Sequence, residues 1–332
     1  MKFSFTEDQR LLARAVREAL AKSCPPETVR AAKTDPAVRR GDAWRALAEL
    51  GLLGAHVPEE HGGLGLTPLD TVLAYEEIGQ AAVPGPIVET AVAAPLVVGT
   101  EWLERIATGA AAVSVRTDDS PYLLDADLAD LLILQEGHGR TLAVPGTVEL
   151  TEQPSVDPTR RLFSADAGTG GRQIDHPGLD RAFDQAALAT AAQLLGLGRH
   201  LLDAAVAYAG QRKQFGKQIG SFQAVKHQLA DVAIALNFAA PVVHRAAYSL
   251  THEGATASRD VSAAKVAAAA AAQRAVRTAL QVHGGIGYTD ELDLHLWFAR
   301  VWSLRTTWGD DRVHRARLCA ALLGESTTVR LP

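Results

Sequence analysis

The sequence predicts a mainly α-helical protein with a small β domain in its middle. Three observations point there. Apolar residues recur at helical spacing over both ends of the chain. Between them, from about Ala107 to Pro177, the apolar residues come in short runs bounded by Gly, Asp and Pro. Aromatic content is only 5% and Met occurs once, so small side chains do much of the packing, which suits closely approaching helices. The expected arrangement is an N-terminal helical domain over 1–105, a β domain over 106–178 and a C-terminal helical bundle over 179–332.

The N-terminal elements follow from their punctuation. Thr6-Glu7-Asp8 reads as an N-cap with an acidic first turn, followed by Leu11, Leu12, Val16 and Leu20 on one face. A second helix carries Trp44, Leu47 and Leu50 and stops at Gly51. Pro58-Glu59-Glu60-His61-Gly62-Gly63-Leu64-Gly65 is a glycine-rich turn, and helical segments follow from Pro68 to about Gln80 and from Ile87 to Gly99. In the middle, the runs Ala112–Val115, Leu131–Leu134 and Thr141–Val144 read as strands. The C-terminal part gives helices over Ala186–Ala209, Ser221–His252 with Pro241 inside it, Arg259–Val282, Leu292–Leu304 and Asp311–Leu323. The expectation is a four-helix bundle with an extra terminal helix.

Composition excludes several function classes. With 332 residues, 47% hydrophobic and 21% charged, the chain can bury a large core and does not resemble a disordered segment. Lys plus Arg number 33 against 38 Asp plus Glu, a net charge of −5, which argues against the basic footprint of a nucleic-acid protein. Two cysteines, Cys24 and Cys319, make no disulfide framework. No apolar run of membrane-spanning length and no secretory leader is read, so no membrane insertion and a cytoplasmic location are expected. The 11 histidines form no HExxH pattern and no metal-ligand cluster; Asp290–His295 reads as a solvated helix start. No GxSxG elbow and no Walker loop occur.

Two segments could carry chemistry. In Arg212-Lys213-Gln214-Phe215-Gly216-Lys217-Gln218-Ile219-Gly220-Ser221 a helix ends, the chain turns at two glycines, and Ser221 is placed to cap the next helix. Arg212 offers a planar fork suited to a pyrophosphate, and Phe215 could wall off a ring system; the same features also fit a plain surface turn. In Gln281-Val282-His283-Gly284-Gly285-Ile286-Gly287-Tyr288 the paired glycines let a ligand approach bare backbone amides, or simply end a helix.

Together, and in this order, these motifs resemble the acyl-CoA dehydrogenase family over nearly the whole chain, including the Phe5-Thr6-Glu7-Asp8-Gln9 opening, the Pro58–Gly65 turn and the segment around Gly309. The resemblance implies a helical domain, a β domain and a C-terminal four-helix bundle, assembled as a tetramer around FAD. It also implies that Arg212 and Phe215 contact the FAD of a neighbouring subunit, while Gln281, Gly284 and Gly285 line its ADP portion.

Two departures shape the functional expectation. Most relatives carry a glutamate just before the glycine of the C-terminal segment, and it removes the substrate α-proton. Here Trp308 precedes Gly309, and an indole has no basic lone pair. Other relatives place the glutamate on the first bundle helix, where this chain has Ala186 and Ala187. No catalytic residue is therefore assigned, and Asp311 is read as a helix N-cap rather than a substitute base. The stretch from Ala107 to Pro177 is short and lacks Trp, so the flavin-ring contacts expected there are missing.

The first reading is a subunit that completes the FAD site of a longer homologue carrying the glutamate. The Gly309-Asp310-Asp311-Arg312-Val313-His314-Arg315 ending resembles short subunits of bacterial α2β2 dehydrogenases that shorten steroid side chains. Its expected partners are that homologue, an acyl-CoA substrate and an electron-transfer flavoprotein or similar acceptor. The alternatives are a self-sufficient flavoenzyme on the same fold, using an Asp base or monooxygenase chemistry, and a flavin-free scaffold.

Overall fold

A computed structural model describes residues 4–118, 121–136, 139–166, 172–173 and 178–324. Helix α1 (Glu7–Ser23) opens on a reciprocal box: the Thr6 hydroxyl accepts from the Gln9 N–H, and the Gln9 carboxamide oxygen accepts from the Thr6 N–H. The buried face is Gln9, Ala13, Val16 and Leu20, while Leu11 is 46% exposed, contrary to the expected stripe. The Gln9 amide sets this rotation by donating to Asp70 at 2.9 Å on a neighbouring helix. Helices α2 (Pro26–Ala31), α3 (Asp42–Glu49), α4 (Pro68–Gln80) and α5 (Thr100–Ala107) follow. The helix expected over Ile87–Gly99 is instead one π turn, Glu89–Ala93, and one 3-10 turn, Ala94–Leu96. Pro95 lacks the N–H that would continue an α-helix through this point.

The middle region forms two sheets. In the first, β1 (Val113–Arg116) pairs in parallel with β3 (Leu131–Glu136), which pairs antiparallel with β4 (Gly139–Ala143), and β7 (Arg172–Gln173) completes the edge. In the second, β6 (Leu162–Asp166) lies between β2 (Leu123–Leu124) and β5 (Glu149–Gln153). The sheets enclose a small core of their own around Leu123, Leu132, Leu134 and Phe163.

Helix α6 (Leu179–Gln211) has 33 residues and is longer at both ends than the sequence pattern suggests. A hairpin of β8 (Lys213–Gln214) and β9 (Lys217–Gln218) leads to α7 (Gln223–Thr251), which runs on through Pro241. Ser221 does not cap α7: its hydroxyl donates to the Gln218 carbonyl at 2.7 Å, and Phe222 takes the cap position. Helices α8 (Ala257–His283), α9 (Leu294–Thr306) and α10 (Asp311–Leu323) close the bundle. The residue that caps α10 is Asp310, whose carboxylate accepts from the Val313 N–H; Asp311 sits one place inside and pairs with Arg315. By length and composition α7 could cross a membrane, yet it packs along α6 and α8.

One hydrophobic core runs from Val16 and Leu20 through the bundle to Trp308, so the two helical regions share an interior. Their closest approach is between α4 and α6. A Cβ added at Gly196 would lie 1.8 Å from the Glu76 carbonyl oxygen, and one at Gly79 2.1 Å from that of Gln193. Each glycine is thus an indentation for the other helix's backbone. Arg300 of α9 then ties in the β region: it donates to Asp157, to the Val83 carbonyl at 2.7 Å and to the Thr159 hydroxyl at 2.7 Å, all buried. Gly196→Ala gains up to about 1 kcal/mol of helix propensity but forces the helices apart, an overpacking cost of about 1–3 kcal/mol or more. Net destabilisation in urea unfolding is expected, and an unchanged or raised midpoint would refute the close-packing account.

Candidate functional site

The seven residues singled out in the sequence fall into two groups at opposite ends of α6. Ala186 lies near its start, where Trp308 packs edge-on against Phe183 with ring centroids 6.2 Å apart. Arg212 lies at its C-cap. Twenty-six residues of helix separate Ala186 from Arg212, about 39 Å at 1.5 Å per residue. Gln281, Gly284 and Gly285 join Arg212 at the far end, because Tyr208, one turn before Arg212, stacks on His283 at 4.3 Å.

The far end is open. Arg212 and Gln281 are exposed, and a Cβ added at Gly284 or Gly285 would meet nothing within 4 Å. Gly284 has φ of +63°, so it is a residue whose missing side chain the backbone uses. Phe215 and Gly216 form the two-residue tip of the hairpin with φ of +50° and +78°. Holding a non-glycine aromatic in the left-handed region costs energy, and the ring is nonetheless 91% exposed. An aromatic held on a strained tip, away from its own core, fits a partner surface or a ligand edge.

The near end is filled. Trp308 is 4% exposed and its indole N–H donates to Glu89 at 3.3 Å. Its φ is +56° and that of Gly309 is +89°, so the turn itself is strained. Two groups pin it. The fully buried Lys265 ammonium donates to the Gly309 carbonyl at 2.9 Å and to the Arg305 carbonyl at 3.2 Å. His314 donates from Nε2 to the Trp308 carbonyl at 2.9 Å and accepts at Nδ1 from Ser262 at 3.2 Å. That pattern requires one ring proton, and burial holds the imidazole neutral by lowering its pKa to about 3. A side chain at Gly309 would stand 2.7 Å from His314 Nε2, which keeps this position glycine.

Thr307, one residue before Trp308, lines a small cavity together with Glu89, Arg160, Thr190, Gln193 and Arg300, among others. It has room for a water or two, far short of a flavin ring or an acyl thioester. Burial raises the Glu89 carboxyl toward its neutral form, opposed by Arg160. The residues for FAD therefore divide: the outward face at the α6 C-terminus fits a phosphate-bearing cofactor, and the interior near Trp308 has no space for the ring.

The sequence reading missed Glu89, Arg160, Lys265 and Arg300. Glu89 and Lys265 were detectable as lone charges within apolar stretches, Ile87–Pro95 and Ser262–Ala272, where a charge must find a buried partner. Asp310 and Asp311, weighed as bases, are engaged at the start of α10. Among the described residues no group of three or more His, Cys, Asp or Glu could hold a metal.

Lys265 gives a testable pH dependence. Burial lowers its folded pKa from 10.5 to about 7, so between those values the unfolded chain binds more protons and stability rises with pH. Lys265→Met should flatten the rise between about pH 7 and 10 in denaturant titrations; an unchanged slope would show that Lys265 is not buried as described.

Residues 6–110 match the acyl-CoA dehydrogenase N-terminal domain and residues 179–323 the acyl-CoA dehydrogenase C-terminal domain. Acyl-CoA dehydrogenase IpdE2 of Mycolicibacterium smegmatis is 36% identical over 317 residues, covering 94% of this chain and 98% of the relative. IpdE2 of Mycobacterium tuberculosis is 32% identical, covering 89% and 91%. The solved Tcur3481-Tcur3483 steroid dehydrogenase superposes with a TM-score of 0.85 at 24% identity over 96% of this chain and 98% of its own. The ChsE4-ChsE5 complex of Mycobacterium tuberculosis gives 0.83 at 22% over 98% and 100%. At such identities the two structures speak for the fold alone. The chain belongs to the acyl-CoA dehydrogenase family, whose members are FAD flavoproteins.

Proposed function

We propose that this chain is a subunit of a heteromeric, FAD-dependent acyl-CoA dehydrogenase acting on a steroid-derived CoA thioester, and that it completes a site whose base belongs to a longer homologue. The observation that carries the reading is the separation along α6. The open, phosphate-suited surface and the position a base would take are about 39 Å apart in one chain, so a site needing both draws them from two. The base position is occupied by a buried indole, and the cavity near it has room for no more than a water or two. Similarity to the acyl-CoA dehydrogenase IpdE2 supports the dehydrogenase part of the proposal; the steroid part is suggested by one fold neighbour, a steroid dehydrogenase, and the heteromeric part by the other, a complex of two proteins.

In this reading the Arg212 guanidinium binds the pyrophosphate as a two-pronged donor, and the Gly284 and Gly285 amides and Gln281 receive the ADP portion. Phe215 reaches across from its hairpin tip and excludes water from the partner's side. FAD, when bound, supplies the acceptor for the hydride that leaves the β-carbon of the thioester. The proton leaves the α-carbon to the homologue's glutamate, since Trp308 cannot take it. The complex would pass the electrons on to an electron-transfer flavoprotein or similar acceptor. A self-sufficient enzyme with an Asp310 or Asp311 base is disfavoured, because both carboxylates are committed to α10.

A charge-assisted bidentate contact is worth about 1.5–3 kcal/mol, or one to two decades in affinity. In the complex with its partner, Arg212→Ala should weaken FAD retention by that order, and Arg212→Lys should recover only part of it. Unchanged FAD content in both variants would overturn the assignment.

A further inference from the structure

Helix α7 buries one side and leaves an apolar stripe on the other. Val232, Leu236, Ala239, Val243, Ala247 and Leu250 are buried where the helix packs along α6 and α8. On the outer side Asp231, Ile234, Phe238, Pro241, Arg245 and Tyr248 are all exposed, at alternating spacings of three and four residues. Only 33% of the helix's apolar stretch is buried, although a surface helix ordinarily turns polar residues outward. Phe238 stands at the centre of the stripe and is 76% exposed.

Three-and-four spacing is the pattern by which one helix packs along another. The charges at the ends of the stripe select the partner. Asp231 lies seven residues before Phe238 and Arg245 seven after it. Two copies of α7 running antiparallel about a two-fold axis at Phe238 set each Asp231 against Arg245 of the second copy, and each Ile234 against its half-buried Val242. A parallel pair would set like charges side by side. Neither charge is withdrawn into its own chain. Asp231 is 4.0 Å from Arg274 and Arg245 is 3.3 Å from Asp260, yet their side chains stay 63% and 62% exposed.

We propose that this stripe is a self-association face: two copies of this chain join through α7, antiparallel, with Phe238 on the axis. In the reading given above the FAD site joins unlike chains, so a face that joins like chains completes a two-plus-two assembly. The face uses no residue assigned to the cofactor.

The test is cross-linking by mild oxidation in a Cys319→Ser background, since Cys24 is buried and Cys319 exposed. It is run on the chain produced alone and on the chain produced with a glutamate-bearing homologue. Helices packed at about 8–10 Å bring the two positions 238 within disulfide reach, while the two positions 248, ten residues off the axis, lie about 30 Å apart. Phe238→Cys should link two copies of this chain, and Tyr248→Cys should link none. Phe238→Asp should halve the mass of the assembly in native mass spectrometry, leaving one chain of each kind with the FAD content per pair of chains unchanged. Because Phe238 is exposed, neither substitution at 238 disturbs the core. If no homologue joins the chain, the proposed function fails, while linkage at 238 still decides this inference. No link at 238, equal linking at 238 and 248, an unchanged mass in Phe238→Asp, or loss of the homologue in place of the second copy would overturn it.

Discussion

Helix α6 sets the terms for everything else in this molecule. Its 33 residues run the length of the bundle, its glycine at 196 lets α4 approach to backbone contact, and its two ends carry opposite kinds of surface. Because a helix is stiff and rises 1.5 Å per residue, no local adjustment can bring Ala186 and Arg212 together. The separation is a property of regular backbone hydrogen bonding, not of any side chain. It makes a cofactor site that uses both ends a matter of assembly.

The same helix divides two treatments of polarity. At its C-terminal end, glycines, an exposed guanidinium and a strained aromatic tip face outward, the Phe215 ring touching only Phe222 edge-on among the described aromatic residues. At its N-terminal end, charges are buried and mostly satisfied. Arg300 makes three hydrogen bonds, Lys265 two and His314 two, and the last two residues hold the turn at Trp308 and Gly309 in the left-handed region. Such strain persists only when the surroundings over-determine it. Removing one partner of a buried pair like Arg300–Asp157 costs about 3–5 kcal/mol, more than any exposed pair on this surface contributes. The interior near Trp308 is therefore built for rigidity.

Much of this was legible beforehand. Periodicity and punctuation gave the order of elements, and α4 and α10 fall at the expected residues, since Pro68 starts the one and an acidic cap the other. What failed has separate causes. Leu11 faces out where a bond between Gln9 and Asp70, 61 residues apart, ties the opposite side of the helix inward. Pro95 breaks a helix that apolar content alone would continue, and Asp310 rather than Asp311 accepts from the Val313 N–H; both are local signals that the apolar pattern outweighed. The outward site residues were readable because glycine pairs and an arginine beside a turn have local signatures. Arg160 has none, since its surroundings form only once β strands and helices are packed.

The central claim is that a working site needs two kinds of chain. Native mass spectrometry of the complex formed with a glutamate-bearing homologue, combined with flavin quantitation, tests it most directly. The account predicts two chains of each kind and two FAD per four chains, with this chain nearly colourless when produced alone. A homotetramer of this chain carrying four FAD and oxidising an acyl-CoA would contradict it.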